Sequence, residues 1–294
     1  SDNGIKFFGP DGFKLSDKDE TKIEELFNGD LSLISPEAIG RASRITDGLG
    51  RYIEAVKTTL APSFSLEGFK IVIDCANGAS YKAAPEVLWE LGAEVIEVGN
   101  NPNGYNINLN CGSMYPEKAS KVVLDKKADL GICLDGDADR VVLIDEKGKQ
   151  VNGDQLMSLI ARYWMQIGRL RGNGLVATVM SNLGLERYLN SIGLQLHRTL
   201  VGDRYVVEAM RSSNYNLGGE QSGHIVMTDF MTTGDGLVAA LQFLEILVSR
   251  QKPASDLLNQ FEPFPQVIKN VICTEDRDFL GQSSTKKVIA ASRK

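Results

Sequence analysis

From residue 70 onward, short apolar runs of strand length alternate with longer stretches whose apolar positions recur at helical spacing. Residues 70–74, 93–98, 130–134 and 141–144 read as strands, with helices over 82–91 and 117–126 between them. Gly92 ends the first of those helices, and residues 147–149 turn the fourth strand back. A long helix then starts at residues 151–154 and runs through Met165. A similar order returns about a hundred residues later, an offset too long for a solenoid repeat and typical of one domain. It comprises a strand over 175–180, a small polar loop at Ser181 and Asn182, a helix over 185–191 stopped by Gly193, and a strand over 194–200. A last apolar helix, 237–248, is capped from residues 229–236 and reads as core. Two related α/β domains in tandem are the simplest account, with ligands bound beyond the strand C-termini.

Upstream the pattern thins. Residues 2–13 read as turn, short strand and turn, and residues 16–20 cap a helix that runs to about Phe27. Residues 35–60 look like a linker passing into a helix over 47–59, with Leu49, Ile53 and Val56 at helical spacing. The first fifty or so residues hold too few apolar elements for a core and need sheet partners from elsewhere.

Chemistry concentrates where a buried strand, 130–134, runs into Asp135-Gly-Asp-Ala-Asp-Arg140 and out through a second one. In an extended segment Asp135, Asp137 and Asp139 project to one face, and Gly136 and Ala138 leave the other unobstructed. Three anions on one face repel, and an oxygen-only donor set favours a hard cation, Mg2+ first. Arg140 follows as a fixed cation suited to a phosphate sharing that metal. A calcium-type EF-hand loop is excluded, because Arg140 stands where that loop needs Gly. A haloacid-dehalogenase-like phosphatase, with Asp135 as nucleophile, is the rival reading, and a solvated surface turn the bland one.

The second chemical stretch is residues 217–225, where Gly218, Gly219 and Gly223 allow a close, bent backbone. Glu220, Ser222 and His224 offer an acceptor, a hydroxyl and an imidazole, a set suited to vicinal sugar hydroxyls. The alternative is a glycine-rich hairpin that satisfies its own backbone. A third loop, 201–206, places Asp203 to cap a helix and Arg204 near its N-terminus, where an anion is welcome.

Composition changes the picture mainly by exclusion. The 294 residues are 43% hydrophobic and 24% charged, the balance of a globular chain long enough for two or three domains. A net charge of −6 argues against nucleic-acid and anionic-membrane partners. No apolar run approaches a bilayer span and no signal peptide opens the chain, so a cytoplasmic location is expected. Cys75, Cys111, Cys133 and Cys273 are scattered and read as reduced thiols.

Taken in order, these motifs resemble those of the α-D-phosphohexomutase superfamily, and most of all its bacterial phosphoglucosamine mutase branch. Residues 135–140 resemble the magnesium loop, 219–224 the sugar-recognition loop, and Asn3-Gly-Ile-Lys6 the segment after the phosphoserine. Residues 178–184 and 201–206 are closer to the glucosamine branch than to phosphomannomutases and phosphoglucomutases, which remain the alternative. The resemblance implies tandem three-layer α/β/α domains: 1–47 the remnant of a first, 48–149 a second with the metal loop, 150–262 a third with the sugar loop, and 263–294 the start of a fourth. It implies interconversion of glucosamine 6-phosphate and glucosamine 1-phosphate through a phosphoserine and a sugar 1,6-bisphosphate, feeding cell-wall precursor synthesis. By the same resemblance Asp135, Asp137 and Asp139 hold Mg2+, and Lys6 and Arg140 flank the phosphate as catalytic residues. Glu220, Ser222, His224, Asp203 and Arg204 bind substrate. A small hexosamine phosphate is the expected partner, and a homodimer is left open.

The chain opens on Ser1 rather than Met, and neither the family's Ser-x-Ser-His-Asn-Pro segment nor its Arg-Pro-Ser-Gly-Thr-Glu-Pro loop occurs in it. It is therefore expected to be a segment of a longer protein that cannot complete the mutase cycle alone, and Ser1 is not assigned as nucleophile. A remnant that binds sugar phosphate without turnover is a further alternative.

Overall fold

The computed structural model describes residues 6–29, 34–267 and 281–292. In chain order the described elements are α1 (Asp17–Asn28), α2 (Gly48–Lys57), β1 (Lys70–Asp74), α3 (Ala83–Glu90), β2 (Glu94–Val98), α4 (Glu117–Lys126), β3 (Leu130–Leu134), β4 (Val141–Asp145) and β5 (Gln150–Val151). There follow α5 (Gly153–Gln166), β6 (Gly174–Thr178), α6 (Leu183–Ser191), β7 (Gln195–Thr199), α7 (Asp203–Ser212), β8 (Leu217–Gly219), β9 (Ile225–Met227), α8 (Gly236–Arg250), α9 (Ala254–Leu257) and α10 (Ser283–Ser292). Residues up to Phe264 form one compact unit; those from Pro265 form a second, of which α10 is the described helix. Part of the stretch read as the start of a fourth domain, 263–294, lies outside the described residues.

Two sheets share one plan. The first has the order β2-β1-β3-β4-β5 and the second β7-β6-β8-β9. In each, a central strand is flanked by two parallel neighbours, and the chain then returns antiparallel through a tight turn. Parallel strands covered on both faces must be apolar on both sides, which is why β3 is buried along its whole length. One face of the first sheet packs on α4 through Val72, Ala119, Val123, Cys133 and Ile144. One face of the second packs on α7 through Val176, Val206, Met210 and Val226. The opposite faces meet in a single core that joins Ile53 and Val56 of α2, the inner residues of both sheets, and α5 and α8. Each fully buried leucine or isoleucine there contributes roughly 2 kcal/mol relative to exposure. This is a three-layer α/β/α arrangement occurring twice.

Local capping sets the helix starts. Ser16, Asn152, Asn182 and Asp235 accept backbone N–H groups at the heads of α1, α5, α6 and α8. One expectation needs correction: the position before α7 belongs to Gly202, and Asp203 is the helix's first residue, its carboxylate turned to the Arg204 N–H and to Lys14. Helix α2 is also shorter at both ends than its apolar pattern indicated. In α1 no residue is buried, and Phe27 is 78% exposed, in line with the sparse apolar content read upstream.

Candidate active site

The aspartates lie in the turn between β3 and β4, whose ends pair Leu134 with Val141. They do not alternate along an extended strand. The Ala138 N–H closes a turn onto the Asp135 carbonyl, and Ala138 itself is left-handed at φ 62°. That curl gathers the carboxylates, so that one oxygen from each of Asp135, Asp137 and Asp139 lies within 4.8 Å of the others. Nor is the far side of the turn open. A Cβ on Gly136 would meet Ile107 and Asn108 at 2.8 Å, and one on Gly78 would lie 2.2 Å from the Gly136 carbonyl oxygen. Glycine at 78 and 136 is the condition for the turn to nest among its neighbours.

Two carboxylates at such spacing repel by about 3 kcal/mol at an effective dielectric near 20. Cations answer them. The Lys6 ammonium lies 2.5 Å from Asp137 and 3.0 Å from Asp139. Burial pulls that ammonium down, but its hydrogen bonds to the two aspartates outweigh burial and hold it above its ordinary value. Arg140 Nε stands 3.9 Å from Asp135 and 3.8 Å from Asp139, too far for hydrogen bonds. Burial, then the Asp139 charge, pushes the Asp135 carboxyl up to about 6, although it accepts the Arg140 N–H at 3.0 Å. Burial acts on Asp139 in the same sense, but His224 and Lys6 prevail and hold it well below the usual range.

The donor set fits a hard divalent cation. It is all oxygen, its members converge, and Asp139 Oδ1 is buried without a hydrogen-bond partner. Three carboxylates against Lys6 and Arg140 leave one negative charge, which a divalent ion turns into a positive site for a phosphate.

The sugar-type loop is the corresponding turn between β8 and β9. Gly223 N–H closes it onto the Glu220 carbonyl, and Glu220 N–H onto that of His224. Gly223 is left-handed at φ 94°, and a Cβ there would lie 2.1 Å from the Val141 carbonyl oxygen. Only glycine therefore lets the two turns touch, as they do: Val141 N–H donates to the Gly223 carbonyl at 3.1 Å, and Arg140 and His224 form a backbone bridge. The buried His224 ring places Nδ1 3.5 Å from Asp139 and Nε2 3.8 Å from Asp203. Glu220 accepts the Gly202 N–H at 3.3 Å, and Ser222 Oγ lies 3.5 Å from its other oxygen.

The structure thus brings Lys6, Asp135, Asp137, Asp139, Arg140, Glu220, Ser222, His224 and Asp203 around one region. Arg204 is the exception in its contacts. It is occupied by Asp17, Glu20 and the Leu15 carbonyl, and so is not open to an anion here. Lys14 went unread in the sequence. It pairs with Asp203 and, against the burial that would raise it, holds that carboxyl below its usual range. Nothing in the local pattern of residues 9–14 marks it, since its partner is distant in sequence. Asp154 is another: buried, it accepts the Asn182 N–H at 2.8 Å and the Gln221 side-chain amide at 3.3 Å.

Residues 50–148 match the family model for phosphoglucomutase/phosphomannomutase, alpha/beta/alpha domain II, and residues 152–264 that for alpha/beta/alpha domain III. The chain belongs to the phosphoglucomutase/phosphomannomutase family. Membership in this family replaces the haloacid-dehalogenase-like reading. Among curated relatives, a phosphoglucosamine mutase of Paracoccus denitrificans is 60% identical over 289 residues, 98% of this chain and 65% of the relative. Another, from Cereibacter sphaeroides, is 64% identical over 270 residues, 92% of this chain and 60% of the relative. The chain therefore spans somewhat less than two thirds of the length of these curated relatives. Its fold resembles the crystal structure of a putative phosphomannomutase from Thermus thermophilus, with a TM-score of 0.72 at 21% identity over 84% of this chain and 56% of that one. It also resembles Aspergillus fumigatus N-acetylphosphoglucosamine mutase in complex with GlcNAc-6P and magnesium, with a TM-score of 0.58 at 20% identity over 74% and 50%. Among the described residues no helix is long and apolar enough to cross a membrane.

Proposed function

We propose that the chain is the metal- and sugar-binding part of a phosphoglucosamine mutase, acting on glucosamine 6-phosphate and glucosamine 1-phosphate. The observation that carries the reading is the junction of the two turns, where His224 Nδ1 lies 3.5 Å from Asp139 while Glu220 and Ser222 stand on the same short turn. A phosphate held at the aspartates is then adjacent to groups that can hold sugar hydroxyls. The 60–64% identity to phosphoglucosamine mutases supports the choice of amino sugar.

In this reading Asp135, Asp137 and Asp139 hold Mg2+, which when bound neutralises charge on the transferring phosphoryl group. Lys6 and Arg140 flank that group as the catalytic cations, compensating its charge and holding it in place as phosphate passes between a phosphoserine and the sugar. Glu220 accepts from sugar hydroxyls, Ser222 and His224 fix the ring, and Asp203 holds His224 from its far side. Phosphoryl transfer needs positioning and charge neutralisation above all, and two rigid turns supply both. A sugar 1,6-bisphosphate is the intermediate that must turn over within the site. The domain limits belong to the same reading: 1–47 the end of a first domain, 48–149 a second, 150–262 a third, and 263 onward the start of a fourth. So does a cytoplasmic location, where sugar phosphates are found.

Calorimetric titration of glucosamine 6-phosphate into the chain with Mg2+ present tests the proposal. Binding weakened about tenfold or more by Glu220→Ala supports it. Absence of binding, or equal affinity in that variant, overturns it.

A further inference from the structure

Residues 234–236, at the head of α8, pack against both turns. A Cβ on Gly234 would lie 2.4 Å from His224 Nε2, and one on Gly236 2.6 Å from the Arg140 carbonyl oxygen. Gly236 N–H donates to the Ala138 carbonyl at 2.9 Å. Ala138 is the left-handed residue of the aspartate turn, a conformation that alanine keeps only where its surroundings enforce it. A first-turn amide of α8, which has no partner within the helix, is thus spent on the residue whose backbone gathers the carboxylates.

What fixes that helix end is Asp235. Its Oδ1 accepts the Val238 N–H at 2.9 Å, and the same carboxylate accepts the Tyr52 hydroxyl, with O···O distances of 2.9 and 3.2 Å. Tyr52 lies in α2, 183 positions earlier. Burial and the Asp235 charge both push the phenol up, so it stays a donor. Two further bonds run alongside: Gln242 donates to the Thr59 carbonyl at 3.1 Å, and Ala61 N–H donates to Glu245 at 3.3 Å. Those two staple α8 to the end of α2 without touching either turn.

We propose that Tyr52 is a positioning residue for the aspartate turn: through Asp235 and the first amide of α8 it holds Ala138 left-handed and keeps Asp135, Asp137 and Asp139 converged on one cation. The final clause rests on the cation reading given above; the rest does not. Tyr52 touches no reacting atom, and its effect is carried by a carboxylate and one backbone hydrogen bond.

The test uses the whole chain with Tyr52→Phe, which keeps the ring and removes the donor, and with Gln242→Ala as a staple that does not reach the turn. Hydrogen exchange over residues 135–140 and Mn2+ affinity by electron paramagnetic resonance are the readouts. Loss of one hydrogen bond to a charged acceptor predicts exchange faster by about fivefold or more and Mn2+ affinity weaker by a similar factor in Tyr52→Phe. Gln242→Ala should lower the melting temperature and move neither readout. If wild type binds Mn2+ and Tyr52→Phe keeps both wild-type exchange and wild-type affinity, the proposal is overturned while the cation reading stands. If wild type binds no Mn2+ but exchange in Tyr52→Phe still rises, the cation reading fails and the positioning role holds.

Discussion

The turn between β3 and β4 and the turn between β8 and β9 occupy the same place in two sheets of the same strand plan, yet they are built for opposite tasks. The first concentrates charge, with three carboxylates, an ammonium and a guanidinium within a few ångströms. The second carries little charge and much glycine, and it presents single polar groups on a tightly bent backbone. A shared frame fixes where a loop stands, while residues within the loop decide what it binds. The two are also supported differently. Loops at 76–79 and 107–108 back the aspartate turn, whereas the head of α5 backs the other, through Gly153 N–H on the Gln221 carbonyl.

The largest expected effects separate these supports. Gly78→Ala drives a methyl into the Gly136 carbonyl, and Gly153→Ala drives one into that of Glu220. Each should cost about 2–3 kcal/mol in denaturant unfolding. Gly78→Ala should weaken Mg2+ far more than sugar phosphate, and Gly153→Ala the reverse. If both variants lose both ligands equally, the turns act as one body and the comparison breaks.

Next comes pH. Burial and the Asp139 charge push Asp135 up to about 6, so Mg2+ affinity should fall about tenfold between pH 7 and pH 5. The metal-free chain should show the opposite sign. The folded state binds this proton more tightly than the unfolded chain does, so the group's penalty on stability is present above about 6 and fades as pH falls toward 3.8. Melting curves with and without Mg2+ at the two pH values check both signs.

A smaller effect is expected from Lys6→Met. Its ammonium competes with a metal for Asp137 and Asp139, but it is about half exposed. Removing it should tighten Mg2+ by only about threefold in calorimetry without phosphate. A loss of affinity would make Lys6 part of the scaffold rather than a competitor. The smallest effect belongs to Phe27→Ser on the unburied α1, with unfolding changed by less than about 0.5 kcal/mol.

Much of this could be read in advance. The strands flanking Asp135–Arg140, the glycines around Glu220 and the caps at Ser16 and Asn152 are local signals, each resting on residues a few positions apart. The aspartates converge by a curled turn rather than by strand alternation, which applies only where the backbone stays extended, and Ala138 leaves that region. The contacts of Arg204 with Asp17 and Glu20 are likewise not legible in the sequence, because no spacing rule ties them to it. Lys14 and Tyr52 carry no motif at all, and Asp235, inside the 229–236 stretch that reads as a cap, shows no local sign of its bond to Tyr52.

Sequence by itself determined the two apolar sheets, the identity of the charged and glycine-rich turns, and the oxygen-only donor set, because periodicity and residue type are local properties. Tertiary structure alone decided that Lys6 meets Asp137 from 131 positions away, that Arg140 pairs with His224, and that α8 braces a turn in the other sheet. Such contacts depend on how layers pack around one core, and packing is settled by the whole chain at once rather than by any stretch of it.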